Sequence, residues 1–138
     1  MRLTVTMPWL VALVLLGLGL GGCNRQDSPQ GAYRAFYDSV RKGERKDAWA
    51  VLSKATQDAL TERAKAVGEA SGSAEKPEPL DFFFANVPPP PDVTEVSLVR
   101  EEGDTATVLV RSAGSNHEVR MVREPSGWKV DLTASLQP

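Results

Sequence analysis

A chain of 138 residues with one cysteine and one histidine has few places for chemistry, and each can be weighed in turn. Cys23 carries the only thiol. His117 carries the only imidazole and lies in "SAGSNHEV", turn chemistry leading into a strand, where the ring is hydrated and lacks a second residue to fix its tautomer. No serine stands in a GxSxG setting, so the parts of a nucleophile–base pair are missing. One histidine, one cysteine and no acid cluster at ligand spacing count against a metal site, and no glycine pattern forms a phosphate-cradling loop. No cofactor is called for. The remaining acid–base candidates are Asp38 and Asp131, both read as solvated, and the phenols of Tyr33 and Tyr37, whose helical spacing makes them core residues with hydroxyls toward the rim. Glu101-Glu102, ahead of Gly103-Asp104, read as a solvated hairpin tip whose like charges discourage edge pairing.

The elements that position these groups follow from periodicity. Ser28-Pro29 is a helix start, a hydroxyl cap with proline at the first helical position, and Tyr33, Phe36, Tyr37 and Val40 then fall on one face until Gly43. Arg34, Asp38 and Arg41 occupy the other side. A second piece carries Trp49 and Leu52, breaks near Ser53, and continues with Ala59, Leu60, Ala64 and Val67, fading at Gly68. "ASGSAEKPEPL" reads as a loop. In "LDFFFANVPPPPD" three successive phenylalanines cannot share one face. They are expected to close one end of the core, with the prolines extended behind them.

From Val93 the period becomes two. "VTEVSLVREE", "TATVLVRS", "HEVRMVRE" and "GWKVDLT" are four strand-like runs separated by "GD", "AGSN" and "PSG", connections short enough to require antiparallel neighbours. One face collects Ala106, Val108, Val110, Val119, Met121, Trp128, Val130 and Leu132, and the other carries Thr105, Thr107, Glu118, Arg120, Lys129 and Asp131. The expected architecture is α+β: N-terminal helices packed on one face of a curved four-stranded antiparallel sheet, over residues 29–136.

The ends give an address. "MRLTVTMPWLVALVLLGLGLGG" has the charged, apolar and small-residue order of a secretory signal, and its apolar run would reach only roughly 18 Å as a helix, short of a bilayer core of about 30 Å. Leu20-Gly21-Gly22-Cys23 resembles the lipobox of bacterial lipoproteins, in which the cysteine thiol takes a diacylglyceryl group and becomes the new N-terminus. The expectation is a signal peptide over residues 1–22, a lipidated tether over 23–28, and membrane attachment through the lipid on Cys23. Asn24, where aspartate would favour inner-membrane retention, points to the outer membrane of the cell envelope. Removing residues 1–22 from 138 leaves 116, one domain's worth, and takes away one Arg and no acid. The remainder carries 15 basic and 18 acidic side chains, a net −3 that gives no reason to expect nucleic acid.

The order "AYRAFYDSVRKGERKDAWAVLS" followed at the end by "GWKVDL" resembles the nuclear transport factor 2-like (cystatin-like) superfamily, and within it the small bacterial lipoproteins of uncharacterised function. The matching positions are Tyr33, Phe36, Tyr37, Gly43, Trp49, Leu52, Ser53 and Gly127 to Asp131. The resemblance implies a fold more than an activity, since that superfamily holds isomerases, dehydratases, binding modules and scaffolds on one frame.

These observations point to a membrane-anchored envelope protein acting as a non-catalytic binding or structural module. Two alternatives stay open: a small isomerase or hydrolase on the same fold, and an inhibitor or assembly factor of an envelope enzyme, docking through the exposed sheet face. A ligand pocket for a small apolar molecule is expected between sheet and first helix, at Tyr37, Trp49, Phe82, Phe83, Phe84, Met121 and Trp128, which are also core positions.

Overall fold

The computed structural model describes residues 25–72, 77–86 and 92–137. Cys23, the leader over residues 1–22 and the polyproline run at 88–91 lie outside the described residues.

A 3-10 turn, Arg25–Asp27, leads into helix α1, Pro29–Lys42. The start is built as its residues require: the Ser28 Oγ accepts from the Gly31 N–H at 3.0 Å, and Pro29 takes the position where an N–H would have no partner. Gly43 ends the helix at φ 74°, the left-handed conformation that favours glycine, while Arg41 and Lys42 lie near the carbonyl end of the helix dipole. Tyr33 and Phe36 are buried, and Tyr37 and Val40 pack partly buried beside them.

Helices α2, Arg45–Val51, and α3, Lys54–Ala70, are parted at Leu52-Ser53 for a reason that reaches across the chain. Leu52 forms a parallel bridge to Val130, and the Ser53 N–H donates to the Val130 carbonyl at 2.8 Å, so the break lends the sheet a short extra edge. Ser53 Oγ then caps α3 by accepting from the Thr56 N–H at 3.1 Å. The buried stripe of α3 is Thr56, Leu60, Ala64 and Gly68, spaced by four. Val67, expected inside, is 48% exposed, because the small Ala64 and Gly68 let the helix approach its neighbours on that stripe instead.

The phenylalanines lie on a helix, α4, Pro79–Asn86, which takes in the last residues of the expected loop. Successive residues on a helix are about 100° apart, so one ring enters the core and two flank it. Phe83 is 1% exposed, and Phe82 and Phe84 pack partly buried against the core.

Strands β1 (Val93–Glu102), β2 (Thr105–Ser112), β3 (Ser115–Glu124) and β4 (Gly127–Asp131) form an open antiparallel meander in the order β1-β2-β3-β4, followed by a one-turn helix, α5, Thr133–Leu136. The fold is α+β, with the helices on the N-terminal side. The core face of the sheet is Val96, Ala106, Val108, Val110, Val119, Met121, Trp128 and Val130. Arg123, opposite Trp128, lays its guanidinium 4.6 Å from the indole centroid.

Three expectations change here. Strand β3 begins at Ser115, so His117 is paired opposite Val110 inside the sheet and not at a turn edge. Leu132 leaves the strand to become the residue preceding α5. Lys129 and Asp131, expected in solvent, are enclosed. The Lys129 residue is 6% exposed, with Nζ donating to the Ala50 carbonyl at 2.8 Å and the Gln26 Oε1 at 3.1 Å. The Asp131 side chain is 8% exposed. The cause is long-range: the 3-10 turn and the α2–α3 junction pack along β4, and alternation within one strand cannot register what covers its outer side. The 3-10 turn itself falls within the span expected to be tether. It seats on the domain because Gly127 leaves room for Gln26, whose Cβ and carbonyl oxygen would lie 2.9 Å from any Cβ at that position.

Candidate functional site

Tyr33 and Phe36 of α1, the β3 segment from His117 to Arg120, and Asp131 with the α5 turn enclose a groove of about 410 Å³. Its apolar wall is Tyr33, Phe36, Val119, Leu132 and Leu136, and its polar rim includes His117, Glu118, Arg120 and Asp131. The volume lies within the range of about 300–1,000 Å³ that suits small molecules.

Each lining group has a local origin. Tyr33 and Phe36 are three apart on α1, so both face the sheet, with ring centroids 6.2 Å apart. Val119 points inward by strand alternation, flanked by His117 on the same face and two residues nearer the β2–β3 turn. Leu132 and Leu136 are four apart and bring the α5 turn over the end of the groove. The turn is held by Asp131, whose Oδ1 accepts from the Thr133 N–H at 2.9 Å, the Thr133 hydroxyl at 2.7 Å and the Thr56 hydroxyl at 3.3 Å. Its Oδ2 lies 3.4 Å from Arg120 Nε.

The electrostatics are uneven. Tyr33 is 3% exposed, and burial, with a smaller contribution from Tyr37, pushes its phenol up to about 12, so it keeps its proton at neutral pH. Its hydroxyl makes no hydrogen bond to any described residue. No fully enclosed side-chain nitrogen or oxygen among the described residues lacks a partner, so the Tyr33 hydroxyl keeps some open surface, and Tyr33 lines the groove. The His117 imidazole likewise has no hydrogen-bonding partner among the described residues, and the residue is exposed. Asp131, by contrast, has both oxygens engaged.

The seven residues expected to line a pocket all belong to the core or its margin. Phe83, Met121 and Trp128 are core at 1%, 0% and 2% exposure, and Tyr37, Trp49, Phe82 and Phe84 pack at its margin. The groove described above is lined by other residues. Tyr37 acts as a strap between α1 and the start of β1, because its hydroxyl accepts from Arg41 Nη1 at 2.8 Å and from the Val93 N–H at 3.0 Å, while Arg41 also pairs with Asp92. Trp49 offers its carbonyl to Gln57 Nε2 at 2.8 Å. Asp38 borders a separate depression of about 280 Å³ with Lys42, Glu44 and Asp47. The groove residues absent from the expected pocket had one visible signal, "DLTAS", in which an aspartate two residues before a threonine is a side-chain-capped turn start.

Among the described residues no group of three His, Cys, Asp or Glu side chains could hold a metal ion, and no helix is long and apolar enough to cross a membrane. No protein-family model, curated protein or solved structure matches the chain.

Proposed function

We propose that the chain is a lipid-anchored cell-envelope protein of the nuclear transport factor 2-like superfamily, whose domain binds a small apolar molecule without transforming it. The observation that carries the binding role is the groove between α1, β3 and α5, apolar in its wall, with its one enclosed carboxylate, Asp131, tied to Arg120. An isomerase or hydrolase would need a sheltered acid or base aimed at substrate. The one enclosed carboxylate on the groove, Asp131, spends its oxygens on Thr56, Thr133 and Arg120. Docking through the sheet's outer face has little to support it, since that face presents Glu95 opposite Arg111, Leu109 opposite Glu118 and Thr107 opposite Arg120. The exposed apolar side chains of the sheet, Leu98 and Val99, sit on the edge strand β1 and are small in area beside the patch that a docking partner would cover.

The anchor rests on Leu20-Gly21-Gly22-Cys23. Because Gln26 is already packed on the domain and Cys23 is three residues earlier, the lipid would hold the domain within about 10 Å of its attachment point. Mass spectrometry of the mature chain should find a diacylglyceryl thioether on Cys23, and Cys23→Ser should release the protein from membranes. A mature N-terminus at any other residue would remove the anchor from the proposal. For the binding role, small apolar molecules should shift the methyl signals of Val119, Leu132 and Leu136 saturably.

A further inference from the structure

We infer that the groove takes a neutral, predominantly apolar molecule bearing one hydrogen-bond-accepting oxygen, and that the Tyr33 hydroxyl donates to that oxygen. The inference rests on the binding role proposed above and adds the chemistry of the ligand.

A hydroxyl in a residue only 3% exposed is ordinarily satisfied within the fold, since a buried polar group without a partner is costly. Tyr33 departs from that pattern: its hydroxyl is unpartnered among the described residues yet not wholly enclosed, and the residue lines the groove. The neighbouring side chains that could have satisfied it are committed elsewhere. The Tyr37 hydroxyl already takes hydrogens from Arg41 and the Val93 amide, and Asp131 is held by Thr56 and Thr133. An oxygen brought in by a ligand would complete the set.

The body of the ligand follows from the walls. Phe36, Val119, Leu132 and Leu136 offer aromatic and aliphatic surface, and about 410 Å³ is at the small end of ligand sites, which limits the molecule to one or two rings or a short chain. Its charge follows from the rim. Arg120 and Asp131 pair with each other on that rim, which leaves Glu118 to oppose an anion. A cation would have to leave water for an apolar wall, while the Glu118 charge stays at the exposed rim. A neutral ligand meets neither cost. Direction follows from the phenol itself: burial holds its proton in place well above neutral pH, so it is available as a donor.

The test uses the full mature chain in lipid nanodiscs with methyl labelling, read at Val119, Leu132 and Leu136 against empty nanodiscs. Two probes of matched shape are titrated: acetophenone, which has an accepting oxygen, and cumene, which has none. Acetophenone is expected to bind about five- to tenfold more tightly than cumene, and Tyr33→Phe should erase that difference while leaving cumene unchanged. Because the hydroxyl has no partner among the described residues, Tyr33→Phe should melt no lower than the parent, and a clear drop in melting temperature would overturn the inference. Equal affinity for both probes, unaltered in Tyr33→Phe, would overturn it and leave the binding role standing. If neither probe shifts those methyls at millimolar concentration, the binding role and the inference fall together.

Discussion

Phe36 stands between two regions built from similar apolar material that end in opposite states. On one flank it meets Phe83 at 6.2 Å between centroids, Phe83 meets Phe84 edge-on at 5.1 Å, and Arg45 covers Phe84 while pairing with Asp81. That flank is shut. On the other flank Phe36 and Tyr33 face Leu132 and Leu136 of a four-residue helix and its approach, and a groove remains. The difference is one of filling. Large rigid rings tile a helix–sheet interface and exclude voids, whereas one turn of helix with two leucines cannot reach across the same gap. Aromatic density in a sequence therefore marks where a core closes, and a site is better sought where the covering element is short.

The comparison is broken most directly by truncating each flank. Phe83→Ala should cost about 3 to 5 kcal/mol, because a fully enclosed ring leaves a cavity. Trp128→Ala should cost a similar amount, as its indole is 2% exposed under Arg123. Leu136→Ala should cost under about 1.5 kcal/mol, since the vacated space merges with one already open. Urea unfolding of the three variants measures all of this. Equal losses at Phe83 and Leu136 would mean the second flank is packed as tightly as the first.

A second effect separates the flanks by pH. Unfolded, a tyrosine ionises near 10, and in the fold Tyr33 holds its proton to about 12. Between these values the unfolded chain gives up a proton that the folded chain keeps. The contribution is thus fully present below pH 10 and is lost as the pH climbs toward 12, by up to about 3 kcal/mol. Tyr33→Phe should remove this part of the alkaline loss. Parallel stability–pH curves for parent and variant across that window would show that Tyr33 is not enclosed.

How the sequence foretells these features depends on the range of the cause. Local causes were legible: the cap at Ser28, the stop at Gly43, and the spans of β1 and β2 all depend on residues within a few positions, whereas the break near Ser53 was placed without its cause, the bridge from Leu52 to Val130. The inward set from Ala106 to Val130 was legible, because strand alternation is local too. The enclosure of Lys129 was not, since it requires Ala50 and Gln26, which lie 79 and 103 residues away. The groove was hidden for the same reason. Tyr33 and Phe36 carry an ordinary core pattern, and only the placement of α5 beside them leaves the gap.

Asp131 tests whether α5 is held or merely rests there. Its carboxylate gathers Thr56 from α3, the first residue of α5 and Arg120 from β3. Asp131→Ala should cost about 2 kcal/mol, in line with charge-assisted hydrogen bonds lost from an enclosed site. It should also broaden the Leu132 and Leu136 methyl signals more than that of Val108 in mid-core. Uniform broadening would mean that α5 shares the stability of the whole domain.

The smallest expected effect is at His117, and it sharpens the contrast from the open side. The ring stands opposite Val110, which is fully buried, yet His117 itself is exposed, because the groove begins at this point of the sheet and nothing closes over it. No described residue hydrogen-bonds the imidazole. His117→Gln keeps a polar side chain of similar reach at a position with no packing to lose, so stability should stay within about 0.5 kcal/mol, as at an ordinary surface site. Thermal melts of the variant give the measurement, with Val110→Ala as the counterpart across the same strand pair. Val110→Ala removes methyl groups from a wholly enclosed position and should cost well over about 1 kcal/mol. Two residues joined across one ladder would then differ severalfold in cost, and the boundary between closed core and open groove would run between them. A loss at His117 approaching that at Val110 would place the imidazole inside the packed structure, and with it the end of the groove.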